Sequence, residues 1–186
     1  MGINANPMGG SEAPGTRVLL ASLNPVFARE MAADKMIYFR HYKHCEAHNF
    51  DTPIELLESL DGFDVLHLYA DTGAKGELVS HTGVAMPASR LLKAAVAAGL
   101  KLLVVANDNP AEIYMNGFKT KEYPLNIVLT LDRVGDRFPR FLDALLGHAA
   151  GGATLPVAWV KAAPGGSGKI PGCIFSAGQA QALLLP

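Results

Sequence analysis

The chain has 186 residues, of which 49% are apolar and 18% charged, and its formal net charge is −1. That is an ordinary globular composition, long enough for one domain with a full core. No Lys/Arg run stands out, which argues against nucleic acid or an anionic membrane surface as a partner.

Residues 1–15 open "MGINANPMGG" without a basic start or an apolar stretch, and read as a flexible tail rather than a leader. Asn6 stands where a myristoylation signal needs Ser or Thr. Residues 16–186 read as a single domain. "RVLLASL", 17–23, predicts a short buried strand. In "NPVFAREMAAD" Asn24 can cap a helix with Pro25 at its first position. "KMIYFRHYKHC", 35–45, is aromatic and alternating and predicts a second strand. That strand is exposed and could be a pairing edge, which would allow a homodimer, or be covered by another part of the same chain. "DTPIELLESL", 51–60, predicts a helix with Thr52 as cap, Pro53 first and Glu55 completing a capping box.

A third strand spans 63–69. A loop then leads to a helix over 86–99, with proline at its start and Gly99 at its end. "KLLVVAN", 101–107, predicts the fourth strand, and "DNPAEIYMNGF" repeats the strand-Asn-Pro-helix pattern. The apolar passage 91–106 is broken by Lys93, Gly99 and Lys101, so it does not read as a membrane span. "LNIVLTL", 125–131, predicts the fifth strand. Phe138, Phe141, Leu142, Leu145 and Leu146 share one face of a helix over 138–149. "LPVAWVKAA" precedes a linker, "PGGSGKIPG", and "CIFSAG", 173–178, predicts a last strand. Strands alternating with helices give an α/β fold, a three-layer α/β/α sandwich around a mostly parallel sheet.

Open parallel sheets place their sites at the carboxyl ends of the strands. Those ends carry Asn24, Asp71, Asp108 and Asp132, with Asn109 at a helix start. Clustered carboxylates suit a divalent cation. Asp and Asn are also the residues that turns and caps favour, which is the plainer account. His41, His44, Cys45 and His48 would share a face on a helix and could bind zinc, but on a strand His44 and Cys45 point to opposite faces. "GGSGK", 165–169, fails as a phosphate loop, because Ala163 replaces the first glycine and Ile170 the Ser/Thr. The two cysteines make no disulfide framework and fit a reducing cytoplasm. His67, inside the third strand, reads as a satisfied core or interface residue.

The run 64–108, "DVLHLYADTGAKGELVSHTGVAMPASRLLKAAVAAGLKLLVVAND", resembles the CHAT domain family, relatives of caspases and separase, many of them cysteine peptidases. "DVLHL" matches the opening of the family's "D-hydrophobic-HF-x-GHG", with His67 as its first histidine. "LKLLVVAN" matches the strand that ends "N-A-C". The likeness extends more loosely over 16–178. It implies a caspase-like domain whose catalytic histidine falls at Asp71 and whose nucleophilic cysteine falls at Asp108, so neither catalytic residue is present. An aspartate supplies neither a thiolate nor a proton shuttle near neutral pH. The resemblance therefore implies an inactive domain that docks a protein partner in a bacterial signalling or defence assembly. It would need no cofactor. Site-lining residues would be Asn24, His67, Asp71, Asp108, Asn109 and Asp132. The alternative is a hydrolase or phosphoryl-transfer enzyme using a divalent cation on Asp71, Asp108 and Asp132. A peptidase relocated to Cys45 and a neighbouring histidine is a third reading.

Overall fold

The computed structural model describes residues 15–107, 109, 111–131, 135–170 and 172–186. In chain order they form β1 (Arg17–Ser22), α1 (Ala28–Phe39), β2 (His44–Asn49), α2 (Pro53–Glu58), β3 (Val65–Tyr69), β4 (Asp71–Thr72), β5 (Glu77–Val79) and β6 (Ala85–Pro87). There follow α3 (Ala88–Ala97), β7 (Leu102–Val105), α4 (Ala111–Gly117), β8 (Asn126–Thr130), α5 (Arg137–Ala150), α6 (Leu155–Ala162) and β9 (Cys173–Ser176).

Six strands make the central sheet in the order β2-β1-β3-β7-β8-β9. The first five run parallel and β9 returns antiparallel against β8. Alternation along each strand sends side chains to two separate cores. Val18, Leu20, Val65, Tyr69, Val104 and Val128 pack with residues of α1, α5 and α6. Leu19, Ala21, Leu66, Leu68, Leu103 and Ile127 pack on the other face with residues of α2 and α3. The result is a three-layer α/β/α sandwich with a mostly parallel sheet, as the strand and helix alternation predicts. Among the described residues no helix is long and apolar enough to cross a membrane.

Local signals explain most elements. Asn24 accepts from the Val26 amide at 3.1 Å and opens a short 3-10 turn at Pro25 that runs into α1. Thr52 accepts from the Glu55 amide at 3.3 Å, while Glu55 receives the Asp51 amide at 3.2 Å, so the reciprocal half of the box reaches one residue further back. All five predicted inward residues of α5 are buried, each contributing about 1.5–3 kcal/mol of transfer free energy.

Three expectations need correction. The stretch 35–45 is not the second strand: α1 continues to Phe39, and β2 occupies His44–Asn49. Met31, Asp34, Ile37 and Tyr38 are the buried residues of α1, a helical spacing. The Tyr42 amide donates to the Tyr38 carbonyl at 2.9 Å, which extends that turn beyond the helix. Aromatic β-propensity here yields to tertiary packing. Secondly, the loop after β3 is a small antiparallel sheet, β4-β5-β6, and Pro87 ends its last strand as the cap of α3 rather than lying inside the helix. Thirdly, the glycine-rich stretch read as a linker is tethered, because the Trp159 indole donates to the Gly168 carbonyl at 2.8 Å and Ile170 is buried.

The turn between β4 and β5 crosses the end of α4 backbone to backbone. Gly76 has φ +79°, and a Cβ there would lie 2.6 Å from the Gly117 nitrogen. Gly76→Ala is expected to lower stability by about 2 kcal/mol or more, through the left-handed backbone and the collision together. Urea unfolding of the variant against wild type measures it, with the same sign expected for Gly117→Ala.

Candidate functional site

The strand order reverses between β1 and β3, which places a crevice outside their carboxyl ends. A cleft of about 650 Å³ opens there, lined by residues that include Phe27, Glu30, Asp34, Tyr69, Asp71, Thr72, Asn107 and Asn109. Short polar side chains tie its rim together. The Ser22 hydroxyl donates to the Asn24 carbonyl at 2.6 Å, and the Leu23 amide to the Tyr69 carbonyl at 2.9 Å. The Asn24 amide group then donates to Asp71 Oδ2 at 2.7 Å. Asn107 donates through its side chain to the Ala70 carbonyl. Asn109 donates to Thr72 Oγ1 at 3.1 Å, and the Tyr114 hydroxyl donates to the Asn107 carbonyl at 2.8 Å. The β1, β3 and β7 exits are thus joined by amides and hydroxyls, which suits the turn chemistry of these residue types.

Behind the rim lies a buried polar chain. The Tyr69 hydroxyl donates to Asp34 Oδ2 at 2.5 Å. His67 Nε2 stands 3.4 Å from the same oxygen, and His67 Nδ1 stands 3.1 Å from the Tyr38 hydroxyl. His67 and Asp34 are 0% and 1% exposed. Burial, followed by the Asp34 charge, pushes the Tyr38 hydroxyl well above the ordinary tyrosine range, so it stays protonated. A protonated hydroxyl can donate to Nδ1, and in the tautomer that accepts it the ring proton sits on Nε2, facing Asp34. The His67 ring stacks on Tyr69 at 5.0 Å and meets the edge of Phe138 at 6.2 Å.

Asn24, Asp71 and Asn109 come to the cleft rim as their positions at the strand ends imply. Asp71 is exposed and bound to Asn24. Asp108 and Asp132 lie outside the described residues. His67 does not line the cleft but stands behind it, two residues back along β3 from Tyr69, which does. Sequence reasoning missed Asp34 and Tyr69. Asp34 had a signal: it lies three and four residues before Ile37 and Tyr38, a carboxylate on the inward face of its helix.

The four zinc candidates do not converge. His41 Nε2 lies 2.8 Å from Asp143, and His48 Nε2 lies 3.3 Å from Glu46. His44 is exposed while Cys45 is buried. No group of three or more His, Cys, Asp or Glu suited to a metal occurs among the described residues.

Neither cysteine reaches the cleft. Cys45 pairs with Val18, four residues short of the Ser22 edge, or about 13 Å along the strand. Burial pushes its thiol up to about 11. Cys173 faces Thr130 at the carboxyl edge, but on β9, three strands from β3, or about 14 Å across the sheet.

No family model matches the chain, and no curated protein matches it. A solved structure of NAD+-bound 3-phosphoglycerate dehydrogenase from Entamoeba histolytica is similar at 11% identity, with a TM-score of 0.44. The match covers 75% of this chain and 40% of that one, so the chain spans well under half of the dehydrogenase. A likeness at that level carries no argument about ligand or activity.

Removing the Tyr69 hydroxyl takes the shortest bond from a buried carboxylate. Tyr69→Phe is expected to cost about 1–3 kcal/mol of stability, read from the denaturant midpoint, with the far-UV circular dichroism spectrum unchanged.

Proposed function

We propose that this chain is a catalytically silent, caspase-like domain that works as a protein-interaction module in a bacterial signalling or defence assembly. One observation carries the reading. At the end of β3, where the resemblance places a catalytic histidine, Asp71 is held by the side-chain amide of Asn24. A carboxylate so held does not replace the imidazole that takes up a thiol's proton in a Cys-His pair.

Two further features support it. Both cysteines lie away from the cleft, and the Cys45 thiol is buried and donates to the Tyr42 carbonyl at 3.5 Å. A raised thiol pKa makes a poor nucleophile, so relocation of peptidase chemistry to Cys45 is disfavoured. Segments that follow β1, β2 and β5 also expose apolar side chains suited to a protein partner. Val26, Ile54 and Val84 are 70%, 47% and 40% exposed. Their segments are bound together, since the His81 amide donates to the Leu23 carbonyl at 2.8 Å and Thr82 donates to the Asp51 carbonyl at 3.0 Å. Exposed aliphatics on segments bound to one another suit an interaction surface.

A divalent-metal hydrolase or phosphoryl-transfer enzyme is the second reading. It would use Asp71, Asp108 and Asp132, and it is supported by Asp71 lining a cleft whose described lining residues include no Lys or Arg.

A peptide-library digest and alkylation by iodoacetamide separate these readings. No turnover is expected, and Cys45 is expected to label slowly at neutral pH and faster as pH rises toward 11, because the thiolate fraction grows. A photo-crosslinking residue at Val84 is expected to trap a discrete protein in cells, and one at Val157 on α6 is not. Cleavage abolished by Cys45→Ala or Cys173→Ala would overturn the proposal. Calorimetric Mg²⁺ or Mn²⁺ binding lost in Asp71→Ala would replace it with the second reading.

A further inference from the structure

β2 forms one outer edge of the six-stranded sheet, and among the described residues only β1 pairs with it. The pairing is unbroken from Arg17↔His44 to Ser22↔Asn49, with neither a bulge nor a proline. Natural edges are commonly blunted by one of those devices.

The direction of the free backbone groups follows from one hydrogen bond. The Phe50 amide donates to the Ser22 carbonyl at 2.8 Å, so Phe50 faces β1. Backbone groups alternate along a strand, so His44, Glu46 and His48 also face β1, while Cys45, Ala47 and Asn49 present their N–H and C=O groups outward. Among the described residues, no backbone hydrogen bond to these three outward amides is seen.

The side chains select what fits that edge. Glu46 and His48 lie on one face of the strand, 48% and 53% exposed, with Glu46 Oε2 and His48 Nε2 3.3 Å apart. Hydrogen bonds from His48 and Arg17 hold the Glu46 carboxyl below its ordinary range. A second β2 laid antiparallel, with the two-fold axis at Ala47, sets Cys45 opposite Asn49 and Ala47 opposite itself. Those are outward residues on both sides, so they exchange backbone hydrogen bonds. The same register sets Glu46 opposite the second copy's His48 and His48 opposite the second copy's Glu46. These are non-hydrogen-bonded positions, where side chains stand closest. Moving the axis to Glu46 puts two carboxylates face to face, and moving it to His48 pairs two imidazoles. Like charges directly opposite are unfavourable and two imidazoles bring no ion pair, so of these three registers the Ala47 one is the most complementary. Ala47, small and half-buried, leaves room at the axis.

We propose that β2 is a self-pairing edge through which two copies of this chain join, antiparallel about Ala47, into one continuous sheet. The interface is isologous, so it closes at two copies rather than growing into a filament. It is independent of the function proposed for the cleft, which opens at the carboxyl end of the sheet.

Sedimentation velocity over a concentration series, with hydrogen exchange on the same samples, tests the pairing. Wild type is expected to dimerise, and the amides of Cys45, Ala47 and Asn49 are expected to become protected as concentration rises. Ala47→Pro removes an outward N–H, which an edge strand tolerates, so the variant is expected to stay folded and monomeric. Glu46→Lys is expected to weaken the dimer about tenfold by setting Lys against His48. Glu46→Lys combined with His48→Glu is expected to restore it, because opposite charges again face each other. A wild type that stays monomeric near 100 μM, a concentration that any dimer of about micromolar affinity would populate, overturns the proposal. So does a dimer indifferent to Ala47→Pro, or protection of the three amides that does not change with concentration.

Discussion

An imidazole at the middle of β3 has no access to water, and the groups around it are placed accordingly. His67 is 0% exposed in a strand whose residues are all buried. Leaving its nitrogens unsatisfied would cost on the order of 1–3 kcal/mol each. Tyr38 and Asp34 answer from α1, four residues apart and so on one face of the helix. That requirement fixes which side of α1 turns inward and brings Asp34 within reach of Tyr69. Phe27 follows, its ring 5.9 Å from that of Tyr69, and closes one wall of the cleft. The position of the cleft is therefore tied to the hydrogen-bonding need of a residue that does not line it.

The fold was legible wherever pattern and burial agree. The five inward residues of α5, the caps at Asn24 and Thr52, and the apolar β3 and β7 all read directly from spacing and residue type. The boundary of α1 did not, because Tyr38, Phe39 and Tyr42 suit either a strand or a helix and only their contacts decide between them. The β4-β5-β6 sheet was hidden for a different reason. Its strands are two or three residues long, too short to show a period. Of the cleft, the strand-end residues Asn24, Asp71 and Asn109 were readable from the α/β rule. The inward place of Asp34 shows in its spacing from Ile37 and Tyr38, but its partner, a histidine 33 positions further along, does not.

The chemistry of the rim is that of a joint as much as of a site. Asn24 donates to Asp71, Asn109 to Thr72 and Tyr114, and Asn107 and Tyr114 to backbone carbonyls. Thr130 adds a bond to the Asn107 carbonyl at 2.7 Å, reaching from the next strand. Side chains so engaged are stiff, and stiffness serves recognition of a shaped partner by lowering the entropy lost on docking. It does not serve a nucleophile, which needs an unengaged lone pair aimed at its substrate.

The crossing of Gly76 over Gly117 has a mechanical consequence. Two backbones in contact with no side chain between them cannot slide or repack independently. The small sheet carries Thr72, and α4 carries Tyr114, which also accepts the Asn109 amide at 3.2 Å. A load on either element therefore displaces both, and that side of the cleft answers as a single jaw.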